Sequence, residues 1–148
     1  DTVGGLLNKC KMSFPSDIEE NDINEPIIQP LDVYNLFKEL NESYFKRMMI
    51  LTVNEDNYPI TWEFLGEGLN KKITYEPKTI FHTSFLLEEK SSIIIAENIN
   101  NSTEIPSQDN IEKTQKLVKT GNILGIDLID HIIVKENGYQ SYNELNLI

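Results

Sequence analysis

The chain has 148 residues, 39% of them hydrophobic and 25% charged, and a formal net charge of −11. Its length suits one domain closing a single core, and its apolar clusters fall well short of the roughly 18 to 20 residues that a membrane span needs, so a soluble protein with no membrane partner is expected. The acidic balance repels phosphate backbones and the 13 Lys and Arg residues are scattered, which disfavours direct nucleic-acid contact; Lys71, Lys72, Lys78 and Lys90 read as solvated surface lysines.

Residues 1–7 lack the basic start and apolar centre of a secretory signal, and Cys10 is the single cysteine. No internal disulfide or thiolate zinc site is therefore expected, and a reducing, cytoplasmic setting is the simplest assumption. Lys9, Lys11 and Ser13 alternate with Cys10, Met12 and Phe14, the pattern of an edge strand with an inward cysteine. Residues 15–30 then bring Asp17, Glu19, Glu20, Asp22 and Glu25 with no balancing base. That stretch reads as a solvated acidic linker, with an acidic docking segment as the alternative. Residues 1–29 are accordingly set apart from a domain over residues 30–148.

Pro30 suits the first position of a helix, and Leu31, Tyr34, Leu36, Phe37 and Leu40 follow at helical spacing. Residues 47–53 have the length and branching of a buried strand, Asn54-Glu55-Asp56-Asn57 supplies a turn, and residues 60–65 complete a hairpin. Trp62 and Phe64 share one face of that second strand, Thr61 and Glu63 the other. After Pro77, the residues Ile80, Phe81, Phe85, Leu86 and Leu87 predict an amphipathic helix with His82 at its surface or boundary. Residues 92–96 are short, β-branched and almost wholly apolar, as in a central strand covered on both faces. A polar loop over 97–106 leads to Ser107 as N-cap of a helix bearing Ile111, Leu117 and Val118, with Gly121 and Gly125 marking its decay. A strand over 126–134, an Asn137-Gly138 turn and a return over 139–141 precede a tail through Leu145 and Leu147.

Chemistry concentrates where the central strand meets the third helix, Ala96-Glu97-Asn98-Ile99-Asn100-Asn101-Ser102 followed by Pro106-Ser107-Gln108-Asp109-Asn110-Ile111. This junction resembles the RadC family of JAB/MPN domains. Pro30-Leu31-Asp32-Val33-Tyr34 is similar to that family's opening helix, Gly68-Leu69-Asn70 to its Gly-Thr-Leu-Asn turn, and Pro77 with Ile80-Phe81 to its next helix. Leu124-Gly125-Ile126-Asp127-Leu128-Ile129-Asp130-His131-Ile132-Ile133-Val134, then Gly138-Tyr139 and Ser141, resembles its ending almost residue for residue. The resemblance covers residues 12–148. It implies an α/β fold with a mixed central sheet flanked by helices, the cytidine deaminase-like JAB/MPN architecture.

In active members the resemblance implies zinc held by a His-x-His pair at the end of the central strand and an aspartate in the next helix, with an upstream glutamate as general base. Carried onto this chain, the ligand positions hold Glu97, Ile99 and Asn110, the base position holds Glu63, and Ser107 aligns with the serine before the metal aspartate. A hydrocarbon at 99 and a carboxamide at 110 are poor zinc donors. The expectation is therefore a pseudoenzyme with no cofactor that binds another protein or itself, with Asn98, Asn100, Asn101 and Ser102 as a candidate contact loop. Ser107 has a sufficient role as helix cap, Asp109 as a favourable charge at the helix start, and His131 as a structural hydrogen-bonding residue near the sheet. The rivals are a hydrolase with a rebuilt site of Glu63, Glu97 and Asp109 holding an oxygen-loving ion, and a DNA-repair role by family association.

Overall fold

A proline at the first helical position and a carboxylate three residues after the N-cap start the first helix, α1, at Pro30–Leu40. Asp32 Oδ2 accepts from the amides of Ile28 at 2.9 Å and Gln29 at 3.0 Å. The computed structural model describes residues 25–41, 47–66, 75–98 and 106–148. Cys10, the predicted edge strand, and most of the acidic linker lie outside them.

Among the described residues five strands form one sheet. They are β1 (Met48–Asn54), β2 (Pro59–Leu65), β3 (Ser91–Asn98), β4 (Asp127–Lys135) and β5 (Gly138–Ser141), in the order β2-β1-β3-β4-β5. The hairpin β1/β2, the pair β1/β3 and the pair β4/β5 are antiparallel, whereas β3/β4 is parallel. A parallel pair needs a crossover, and α3 (Gln108–Leu124) provides it. The remaining helix, α2 (Pro77–Leu86), precedes β3. The mixed α/β sheet expected from the sequence is thus present, with β3 at its centre.

Period-two alternation divides the sheet's side chains between two cores. Met49, Leu51, Val53, Trp62, Ile94, Ala96, Ile132 and Val134 pack under α1, against Val33, Leu36, Phe37 and Leu40. Met48, Ile50, Ile93, Ile95 and Leu128 face the other way, against Ile80 and Phe81 of α2 and Leu117 of α3. Trp62 and Glu63 do lie on opposite faces, as the alternation predicts.

Three expectations need correction. In α1 the buried stripe is Val33, Leu36, Phe37 and Leu40, while Leu31 is 40% exposed, because the helix is rotated to present the i, i+3, i+4, i+7 set that begins at Val33. In α2, Phe85 and Leu86 are 65% and 50% exposed, and the inward positions after Phe81 are Thr83 and Ser84. Gly121 does not mark helix decay: α3 continues to Leu124 and ends on Gly125, whose φ of 76° is the left-handed conformation of a helix C-terminus. A Cβ at Gly121 would stand 2.2 Å from Ile126 O and 3.2 Å from the Phe81 ring, so this glycine permits the close approach of α2 and the chain leaving α3.

Candidate functional site

The carboxyl ends of parallel strands, facing the amino end of the crossover helix, are where open α/β sheets usually place a site. Here that end holds Glu97 near the end of β3 and Ser107 at the start of α3. Ser107 Oγ accepts from Asn110 N at 3.2 Å, the capping role that its sequence position predicts. Asn110 itself is exposed, and Asp109, also exposed, pairs with Lys113 at 3.4 Å one turn along.

Glu97 lies on the same face of β3 as Ile93 and Ile95, so its side chain points toward α3. It meets His131, which the β3/β4 register places beside Ile95 on the adjacent strand. His131 Nε2 lies 2.8 Å from Glu97 Oε1, and its Nδ1 lies 2.8 Å from Thr114 Oγ1. Thr114 Oγ1 is in turn 3.1 Å from Asn110 O, one turn back along α3. The imidazole is 2% exposed, and the buried Tyr142 ring stacks on it with centroids 4.4 Å apart at 13°.

The neighbouring Asp130 fixes the strand bearing this histidine. Its Oδ1 accepts from His131 N at 2.7 Å and from Asn143 N at 3.0 Å, while Oδ2 accepts from the Ser141 hydroxyl. The buried carboxylate therefore ties β4 to β5 and to the turn that delivers Tyr142. Burial, reinforced by the Glu97 charge, pushes the Tyr75 hydroxyl up to about 12, and the same two causes push Tyr142 upward.

Glu63 occupies a separate place. The Thr83 hydroxyl of α2 donates to its Oε1, and deeper under α2 the hydroxyls of Ser84 and Ser91 share a hydrogen bond. Ile50 stands opposite both Glu63 and Ile95, so β1 lies between Glu63 and β3, and Glu97 is two residues farther along. The suggested set of Glu63, Glu97 and Asp109 is thus divided among three partners: Thr83, His131 and Lys113. Among the described residues no group of three or more His, Cys, Asp or Glu is arranged to hold a metal ion.

Asn98 belongs to β3 rather than to a contact loop, because its Oδ1 accepts from Arg47 N at 2.7 Å and its amide donates to Arg47 O at 3.3 Å, extending the pairing with β1. Ile99, Asn100, Asn101 and Ser102 lie outside the described residues. His82 is exposed on α2, in keeping with its predicted surface position. Sequence reasoning missed Thr114, Thr83, Tyr75 and Tyr142. Thr114 had a usable signal, its i+4 spacing from Asn110 along one helix face; Tyr142 had none, because a turn delivers it.

A mixed sheet with a parallel β3-α3-β4 unit and helices on both faces is the architecture of a JAB/MPN domain. The sequence model for the RadC-like JAB domain matches residues 27–147, and the chain belongs to that family. It is 32% identical to a UPF0758 protein of Methanosarcina barkeri over 130 residues, covering 84% of this chain and 56% of the relative. A UPF0758 protein of Caldanaerobacter subterraneus subsp. tengcongensis is 34% identical over 132 residues, 80% of this chain and 54% of the relative. One from Clostridium botulinum strain Loch Maree is 39% identical over 127 residues, 82% of this chain and 54% of the relative. The chain spans about half the length of these curated relatives. Among the described residues no helix is long and apolar enough to cross a membrane.

Proposed function

We propose that this chain is a non-catalytic RadC-like JAB domain that works as a protein-binding module. The observation that carries this reading is the inward engagement of Glu97. At the position where the family resemblance expects the first zinc-ligating histidine, a carboxylate reaches a buried imidazole at 2.8 Å. The other two positions hold the hydrocarbon of Ile99 and the exposed carboxamide of Asn110. Zinc sites of this kind need three nitrogen, sulfur or carboxylate donors around one open position, and these residues do not fit that requirement. Glu63, at the base position, is bonded to Thr83. A general base contributes only within reach of an activated water, and the donor set here supplies no ion to activate one. What remains is a domain in a chain with a net charge of −11, suited to recognition of a basic partner.

Elemental analysis of protein purified without chelators tests the reading, together with melting in excess zinc. The expected metal content is far below one ion per chain, with an unchanged Tm. A bound ion at 100 times its Kd would stabilise the fold by about 2.7 kcal/mol, an unmistakable rise in Tm. Stoichiometric zinc, or another divalent ion, would return the chain to the metallohydrolase reading.

A further inference from the structure

Far from the polar cluster, a groove of about 150 Å³ runs between the entering segment and α1. Pro26, Ile27 and Leu36 form its apolar side, and Glu25, Asp32 and Glu39 its acidic side. Ile27 N donates to Asn57 O at 2.8 Å, which fastens the β1/β2 turn beside it. That turn carries the exposed carboxylates of Glu55 and Asp56, and three apolar side chains next in sequence to groove or turn residues are open to solvent: Ile28 at 82%, Tyr58 at 42% and Leu31 at 40%. Among the described residues no Lys or Arg lines the groove. In the sequence, residues 15–30 carry five carboxylates and no base.

An apolar slot ringed by one sign of charge selects its occupant. Nucleic acid is repelled by the carboxylates, and a second copy would bring the same charge of −11. A small cation gains little, since Asp32 Oδ2 is turned to the amides of Ile28 and Gln29. We propose that this groove docks a segment of a partner protein in which an aliphatic anchor is flanked by lysine or arginine. The anchor fills the slot against Pro26, Ile27 and Leu36, and the flanking cations meet Glu25, Glu55 and Asp56. The proposal rests on the protein-binding reading and names the chemistry of the partner.

The test uses the full chain and a fluorescent peptide with one leucine between lysine pairs, compared with the same peptide carrying serine in place of leucine. The leucine peptide is expected to bind about tenfold tighter, equivalent to about 1.4 kcal/mol. Glu25→Lys and Glu55→Lys should each weaken it several-fold, while Glu112→Lys, an equal charge change on the exposed side of α3, should not. Amide shifts on binding should concentrate in residues 25–39 and 54–58. Equal affinity for the two peptides, equal loss in Glu112→Lys, shifts centred elsewhere, or no saturable binding would each overturn the proposal. Zinc in the purified protein would instead sink the non-catalytic reading and leave the peptide result standing, so the two failures are distinguishable.

Discussion

The two faces of the sheet are built on different terms. Under α1 the sheet packs a large cluster of aliphatic and aromatic side chains, whose cohesion depends on volume and shape. Under α2 and α3 the hydrocarbon core gives way, toward the carboxyl end of β3, to Glu97, His131 and Thr114. Buried polar groups are stable only when each has a partner, so this second region depends on pairing rather than on filling. The lesson is that the two faces of one sheet can be held by different physics. The fold gathers polar side chains near the end of β3, where Glu97, His131 and Thr114 bond to one another in series.

The comparison can be broken by substitutions matched in size. Leu51→Ala, beneath α1, should cost about 4 kcal/mol, but Leu51→Met, which keeps the volume, should cost less than about 1.5 kcal/mol. His131→Phe also keeps a flat ring of similar size against Tyr142, yet it takes the imidazole from the partly buried Glu97 carboxylate and should cost about 3 kcal/mol. Urea denaturation of the three variants measures the contrast. A His131→Phe cost as small as that of Leu51→Met would show that the polar cluster contributes shape alone.

Ser107→Ala sharpens the account of the junction, since loss of the cap on the Asn110 amide should lower stability in urea denaturation by about 1 kcal/mol without altering metal content.

 A further test concerns pH. Burial and the Glu97 charge raise Tyr75 from the ordinary tyrosine value near 10 to about 12 and raise Tyr142 as well. The folded state therefore holds these protons more tightly than the unfolded chain does. Their contribution is fully present below pH 10 and is lost as pH rises from there toward about 12. Denaturation midpoints measured across that window should fall with pH, and Tyr75→Phe should flatten the fall. An unchanged slope in that variant would separate Tyr75 from the Glu97 environment.

Much of this architecture was legible in the chain alone. The length and branching of residues 47–53, the alternation in 60–65, the apolar run at 92–96 and the proline before Leu31 each placed an element, because local pattern reports how a strand or helix is buried. Ser107 as a cap was legible for the same reason, since its partner Asn110 N is three residues away. The stripe of α1, the exposure of Phe85 and the role of Gly121 were not, because each depends on how a helix is rotated or how closely another segment approaches it.

The sequence by itself determined the α/β pattern, the family resemblance and the residue types at the junction of β3 and α3. Only the tertiary structure decided what Glu97 does there, because its partner is 34 residues away on a neighbouring strand and is supported by Thr114 from the crossover helix and by Tyr142 from a turn. Periodicity along a chain carries information about burial, but it does not specify which distant donor will reach a given carboxylate; the parallel β3/β4 register does.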